Sequence, residues 1–425
     1  MTPPPPSPVW HPFTQHGLGE PIPLIDRAAG ARLYDADGNS WIDAISSWWV
    51  TTHGHAHPRI MAAIRAQSER LDQLIFAGWT HEPAETLAAE LVRITPDPLT
   101  RVFFSDSGST SVEVALKMAL GYWFNIGAAR HRILVLEHSY HGDTIGTMSV
   151  GERGVYNRAW QPLLFDVGTI PFPHQGMEQA TLDALEAACA ARDAGDAPAA
   201  FIVEPLILGA GGMLIYPAWV LAEMRRICAA HGVLFIADEV MTGWGRTGTR
   251  FACDQAGVIP DIVCLSKGLT GGALPLAVTL CSEPVFQAHY SPDRARTFYH
   301  SSSYTANPIA CAAANANLAI WRDEPVQARI DTLAEAQAAH LSILSSDPRV
   351  ENPRRLGTIA AFDIKVSDAG YLSTLTPRLI AFYRDQGVLL RPLGNSVYVM
   401  PPYCTTPDEL AQVWTAIAAS LDIAG

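Results

Sequence analysis

The chain has 425 residues, 48% of them hydrophobic and 17% charged, with 42 acidic side chains against 29 basic ones. That length calls for more than one core, and that composition excludes a disordered chain. A net charge of −13 excludes general electrostatic attraction to nucleic acid or anionic membrane, so an anionic ligand has to be held by local groups.

The opening MTPPPPSPVW has four consecutive prolines and neither a basic stretch nor an apolar one, so it reads as an extended arm and not a signal peptide. No apolar run is long enough to span a bilayer. ARLYDADGNSWIDA (31–44) alternates around an Asp-Gly turn and predicts a hairpin. HGHAHP places His53, His55 and His57 on alternate positions, but Gly54 and Pro58 interrupt a regular strand and no further ligand completes a set, so no metal is expected. RVFF (101–104), RILVLE (132–137), AAFIVEP (199–205), VLFIADE (233–239), DIVCLS (261–266) and LAVTLC (276–281) are nearly continuous apolar runs, most of them separated by helical stretches. They predict an α/β fold with a mostly parallel sheet covered on both faces and a ligand site at the carboxyl ends of the strands. Ser105, Asp106, Glu204, Asp238, Glu239, Ser266 and Lys267 fall at those ends.

From about residue 310, helical stretches lead to TIAAFDIKV (358–366), an amphipathic helix near 371–386 and a hairpin-like VLLRPLGNSVYVMPP (388–402). The expected division is a large domain over 61–315, with a smaller α+β domain built from both chain ends, 1–60 and 316–425. Seven scattered cysteines with no CxxC pattern point to reduced thiols and the cytoplasm.

A lysine closing a buried apolar run needs a reason, because an ammonium is costly to desolvate unless it is paired or covalently modified. Lys267 is either a surface lysine at a strand end or an amine that forms a Schiff base with an aldehyde cofactor. Asp238 is either a cap or the partner of a cation such as a protonated pyridine nitrogen. FFSDSGSTSVEVALKMAL (103–120) is a strand, a Ser/Gly turn and a helix whose free first-turn amides suit a phosphate at Gly108 and Ser109, although serine capping alone explains it too. EHSYHGDT (137–144) brings Tyr140 and His141 to the same edge, where an aromatic ring stacks on a planar cofactor. GRTG offers Arg246 as a further cation for a carboxylate.

In this order, these pieces resemble the fold-type I pyridoxal-phosphate enzymes, and LFIADEVMTGWGRTGTRFACDQAGVIPDIVCLSKGLTGG resembles the signature of the class III aminotransferases. VWHPFTQ (9–15), DAISSWWVTTHGHAHP (43–58) and RPLGNSVYVMPPY (391–403) resemble the branch of that family that transaminates 8-amino-7-oxononanoate in biotin synthesis, with S-adenosylmethionine as donor. The resemblance implies a homodimer with shared active sites, Lys267 as the Schiff-base lysine and Asp238 as the pyridine-nitrogen partner. It implies Gly108, Ser109 and Glu204 around the cofactor, with Tyr140 and His141 at its ring. Ser302 and Ser303 would reach the partner's phosphate, with Ser301 near the substrate. Phe13, Trp48 and Trp49 would form the substrate wall, and Arg391 the carboxylate site. Phe13 stands where the family often has tyrosine, which leaves lysine or another omega-amine open as the donor or acceptor.

Overall fold

The computed structural model describes residues 7–128, 130–191 and 197–424; the proline run of the opening arm lies outside them. The six apolar runs form strands Leu99–Ser105, Arg132–Leu136, Pro198–Val203, Leu234–Asp238, Ile262–Leu265 and Ala277–Ser282. With Gly168–Ile170 they make one seven-stranded sheet. Its spatial order is Leu99–Ser105, Ala277–Ser282, Ile262–Leu265, Leu234–Asp238, Pro198–Val203, Arg132–Leu136, Gly168–Ile170. Ala277–Ser282 runs antiparallel to both neighbours, and the remaining adjacent pairs are parallel. The central strands are buried along their whole length, which is why they read as continuous apolar runs and not as alternating ones.

Helices cover both sheet faces. Gly108–Asn125 packs Val112, Ala115, Met118 and Ala119 into one core, while Ala218–His231 packs Val220, Leu221 and Met224 into the core opposite. A third core joins Ile42, Ile45 and Trp49 to Ile359–Ile364, Leu379, Val397–Met400 and Val413–Ile417, so both chain ends share it. The helix Pro308–Asp323 runs through the expected boundary at 315/316, with Cys311, Ala314 and Leu318 in one core and Ala313 and Ile320 in another.

The hairpin expected over 31–44 forms, as Arg32–Tyr34 against Ser40–Asp43. The one expected over 388–402 does not. Val388–Leu389 joins Ser40–Asp43 in parallel, whereas Ser396–Val399 joins Ile359–Ile364, and only the bridge Leu393–Ser396 links the two arms. The loop at Gly394 therefore hands the chain from one sheet to another. Among the described residues no helix is long and apolar enough to cross a membrane.

Candidate active site

The carboxyl ends of Leu99–Ser105, Pro198–Val203 and Leu234–Asp238, and the turn after Ile262–Leu265, surround a cavity of about 220 Å³. Lys267, Asp238, Glu204, Tyr140, His141, Gly108 and Ser109 line one end; Phe13, Trp48, Tyr156, Tyr371, Leu393 and Arg391 line the other.

Ser107 caps the helix Gly108–Asn125: its hydroxyl accepts from Thr110 N at 3.2 Å, and Thr110 Oγ1 accepts from Ser107 N at 2.9 Å. Capping and anion binding are compatible here, because the first-turn amides of Gly108 and Ser109 still have no intrahelical acceptor. A Cβ on Gly108 would lie 2.6 Å from Val240 Cγ1, so the wall leaves no room for a side chain. Gly142 has φ +133, and a Cβ there would meet Ser109 Oγ at 2.1 Å, which brings the His141 loop against the helix start.

Asp238 is buried at its strand end, where Oδ1 accepts from Val240 N (3.1 Å) and Oδ2 from His141 Nδ1 (2.7 Å). His141 Nε2 is buried with no hydrogen-bond partner among the described residues. Glu204 accepts from Tyr140 N and Gly209 N, both at 3.0 Å. Burial pushes its carboxyl up to about 7, against the opposing influence of His141. Glu239, also buried, faces away and binds Thr242, Ala252 N and Cys253 N.

Lys267 follows its strand with φ +44, a costly conformation for a residue with a side chain, and its Nζ lies 4.9 Å from the centroid of the Trp49 ring. Burial pulls its amine down to about 8; Asp238 and Glu204 resist that shift and Arg246 adds to it. Ser46, Ser47 and Trp49 also have positive φ. Asp43 holds this strained segment by accepting from Ser47 N (2.7 Å), Ser47 Oγ (3.0 Å) and His55 Nε2 (2.8 Å).

The three alternating histidines separate: His55 binds Asp43, His53 Nε2 lies 2.9 Å from Asn317 Oδ1, and His57 faces Glu324 at 3.7 Å. Arg246 lies outside the cavity lining. It is fully buried and donates to the carbonyls of Thr51 (2.9 Å), Pro401 (3.1 Å) and Trp49 (3.4 Å), so it braces the backbone behind the tryptophan wall. Ser301, Ser302 and Ser303 also lie outside this cavity: Ser302 Oγ donates to Asp106 Oδ2, and the Ser303 carbonyl accepts from Gln73.

At the mouth, Arg391 donates through Nη2 to the Phe13 carbonyl (3.0 Å) and makes no ion pair among the described residues. Phe13 and Trp48 have ring centroids 5.5 Å apart. Sequence reasoning missed Tyr156, Tyr371 and Tyr398. Tyr156 and Tyr371 lie in loops with no local pattern to tie them to the cavity, whereas Tyr398 sits in the strand Ser396–Val399 within a quoted motif, RPLGNSVYVMPPY. Its hydroxyl accepts from Trp49 Nε1 at 2.9 Å.

The Aminotransferase class-III family model matches residues 14–421. The adenosylmethionine-8-amino-7-oxononanoate aminotransferase of Synechococcus elongatus is 49% identical over 420 residues, spanning 97% of this chain and 98% of its own. Among solved structures, the adenosylmethionine-8-amino-7-oxononanoate aminotransferase of Methanocaldococcus jannaschii superposes with a TM-score of 0.93 at 32% identity, covering 98% of this chain and 97% of that one. An amine transaminase from an uncultivated Pseudomonas species, in its PLP-bound form, gives 0.92 at 32% identity, covering 99% of each chain.

The site fits pyridoxal phosphate on its own chemistry. It offers a partly buried amine with a lowered pKa, a buried carboxylate, an unpartnered imidazole nitrogen, and a helix start that two glycines keep clear. Pyridoxal phosphate is the cofactor of this enzyme, and the chain belongs to the class III aminotransferases.

Proposed function

We propose that the enzyme transfers an amino group from S-adenosylmethionine to 8-amino-7-oxononanoate, giving 7,8-diaminononanoate. The observation that carries this reading is Arg391, a guanidinium with no ion-pair partner among the described residues, at the mouth of an aromatic-walled cavity whose far end holds Lys267. A planar guanidinium grips a carboxylate with two hydrogen bonds, and the apolar walls suit the chain between carboxylate and reacting carbon. The names of the relatives support the same substrate.

In this reading Lys267 would hold the cofactor through its aldehyde, Asp238 would pair with the pyridine nitrogen, Gly108 and Ser109 would hold the phosphate, and Tyr140 would cover the ring. Bound pyridoxal phosphate supplies an electron sink that stabilises negative charge on the substrate carbon. Lys267 would take a proton from the donor's amine-bearing carbon and, in the acceptor half-reaction, deliver one to the carbon that receives the amino group, a task suited to an amine lowered to about 8. Trp48, Trp49 and Phe13 wall the substrate, and His141 keeps Asp238 in place.

Ser302 and Ser303 belong, in this reading, to the partner subunit's phosphate site in a homodimer. Their position outside their own cavity supports that, as do the exposed Ile75, Trp79, Tyr299 and Tyr304. Seven cysteines scattered along the chain with no CxxC pattern support a cytoplasmic enzyme. Phe13 brings no hydroxyl to the mouth, which makes lysine the second reading for the donor.

The deciding experiment mixes holoenzyme separately with S-adenosylmethionine and with lysine and follows the absorbance of the bound cofactor. A change with S-adenosylmethionine, reversed by 8-amino-7-oxononanoate, is the expected result. A change with lysine alone reassigns the donor, and no change with either removes the reading.

A further inference from the structure

Tyr156 and Tyr371 line the cavity mouth from two separate parts of the fold. Tyr156 lies between the helix Ile145–Ser149 and the turn Arg158–Leu163, beside the large sheet. Tyr371 lies between the strand Ile359–Ile364 and the helix Leu375–Asp385, in the part formed by the chain ends. Their ring centroids are 4.4 Å apart, and Phe13 meets Tyr156 edge-on at 6.2 Å. Burial, with Tyr371 alongside, raises the Tyr156 hydroxyl above its ordinary range, while Arg391 works the other way. It therefore stays a hydrogen-bond donor at neutral pH. The only acids among the lining residues are Glu204 and Asp238, both at the Lys267 end.

We infer that Tyr156 and Tyr371 form a two-piece wall that closes the side of the channel between Lys267 and Arg391, and so select a medium-length apolar chain ending in a carboxylate. The inference rests on the proposed role of Arg391. A short acid at Arg391 leaves the wall untouched, whereas a chain of about nine carbons runs along it and excludes water from both rings. Because the wall has one piece in each part of the fold, it is complete only when the two are docked.

The test uses holoenzyme, with nonanoate and butyrate as unreactive competitors of the amino-donor half-reaction read from cofactor absorbance. Wild type should prefer nonanoate. Tyr371→Ala should lower the nonanoate-to-butyrate affinity ratio about tenfold, and Tyr371→Phe, which keeps the ring, by about threefold or less. Tyr156→Ala with Tyr371→Ala should add less than about twofold, because the wall fails once. A ratio in Tyr371→Ala within about twofold of wild type overturns the inference, and so does equal weakening of both acids, the mark of a general defect. Turnover of 8-amino-7-oxononanoate by wild type is scored separately. Its absence removes the proposed substrate while the ratio still decides the wall; turnover with an unmoved ratio does the reverse.

Discussion

At the Lys267 end of the cavity each polar side chain hangs from a strand end, the turn beyond one or a helix start; Asp238, Glu204 and His141 are buried, and Lys267 and Tyr140 partly so. At the Arg391 end the walls come from an arm, two loops and a strained turn, and Phe13 and Trp48 remain 46% exposed. The first construction fixes chemistry, because buried hydrogen bonds leave Asp238 and Glu204 no alternative position. The second leaves room for a different partner, because loops change contacts at little cost to the sheet. Substitutions at the two ends should therefore fail differently: losses of kcat and cofactor retention at one, losses of KM and selectivity at the other.

The largest effect is expected from Lys267→Ala. Its kcat should fall by about 10⁴-fold or more, and borohydride should no longer fix the cofactor to the protein, as read by intact mass. Asp238→Asn keeps the shape but removes the carboxylate that contacts His141 and, in the proposed arrangement, would pair with the cofactor; kcat should fall about 10²-fold, with weaker cofactor retention on dialysis. At the other end, Arg391→Ala should raise KM for 8-amino-7-oxononanoate about 10- to 100-fold, with a smaller change in kcat. If that variant lost kcat as heavily as Asp238→Asn, the contrast between the two ends would collapse.

The smallest effect is on stability and carries a sign. The folded state lowers Lys267 to about 8 from an ordinary 10.5, so below pH 8 the buried charge destabilises the cofactor-free protein, by about 3 kcal/mol at most. Lys267→Met should therefore stabilise the apoprotein at pH 7. Between pH 8 and 10.5 only the unfolded chain keeps the proton, so the wild type regains stability as pH rises and the gain shrinks to nothing. Urea unfolding of both proteins at pH 7 and pH 10 measures the difference; an equal gain at both pH values would show that packing and not charge is responsible.

How far the sequence reached follows the same contrast. The buried strands were legible because burial on both faces leaves an unbroken apolar run, and Asp238 and Lys267 stood out as the charges that end two of them. Val350–Leu356 was not legible: VENPRRL is half exposed, carries a proline, and shifts register between Glu351 and Arg354, where Asn352 has positive φ. The false hairpin at 388–402 arose because a turn signal says where a chain reverses and not which strands it joins. Tyr156 and Tyr371 were missed for a related reason, since nothing local says that two distant loops meet. Arg246 looked like a ligand cation because its motif does not reveal that its fork is occupied by carbonyls.

The parallel pairing of Val388 with Ile42 and of Leu389 with Asp43 joins the start of the chain to its last tenth. During synthesis, Ile42 emerges early and waits for a partner made almost at the end. Until then the strand that leads to Trp48 and Trp49 has only its hairpin partner Arg32–Tyr34 beside it and lacks the parallel one on its other edge. Closing so distant a pair is slow. A ribosome-bound chain stopped short of residue 388 should therefore be unable to finish its active site, however well the large sheet has already folded.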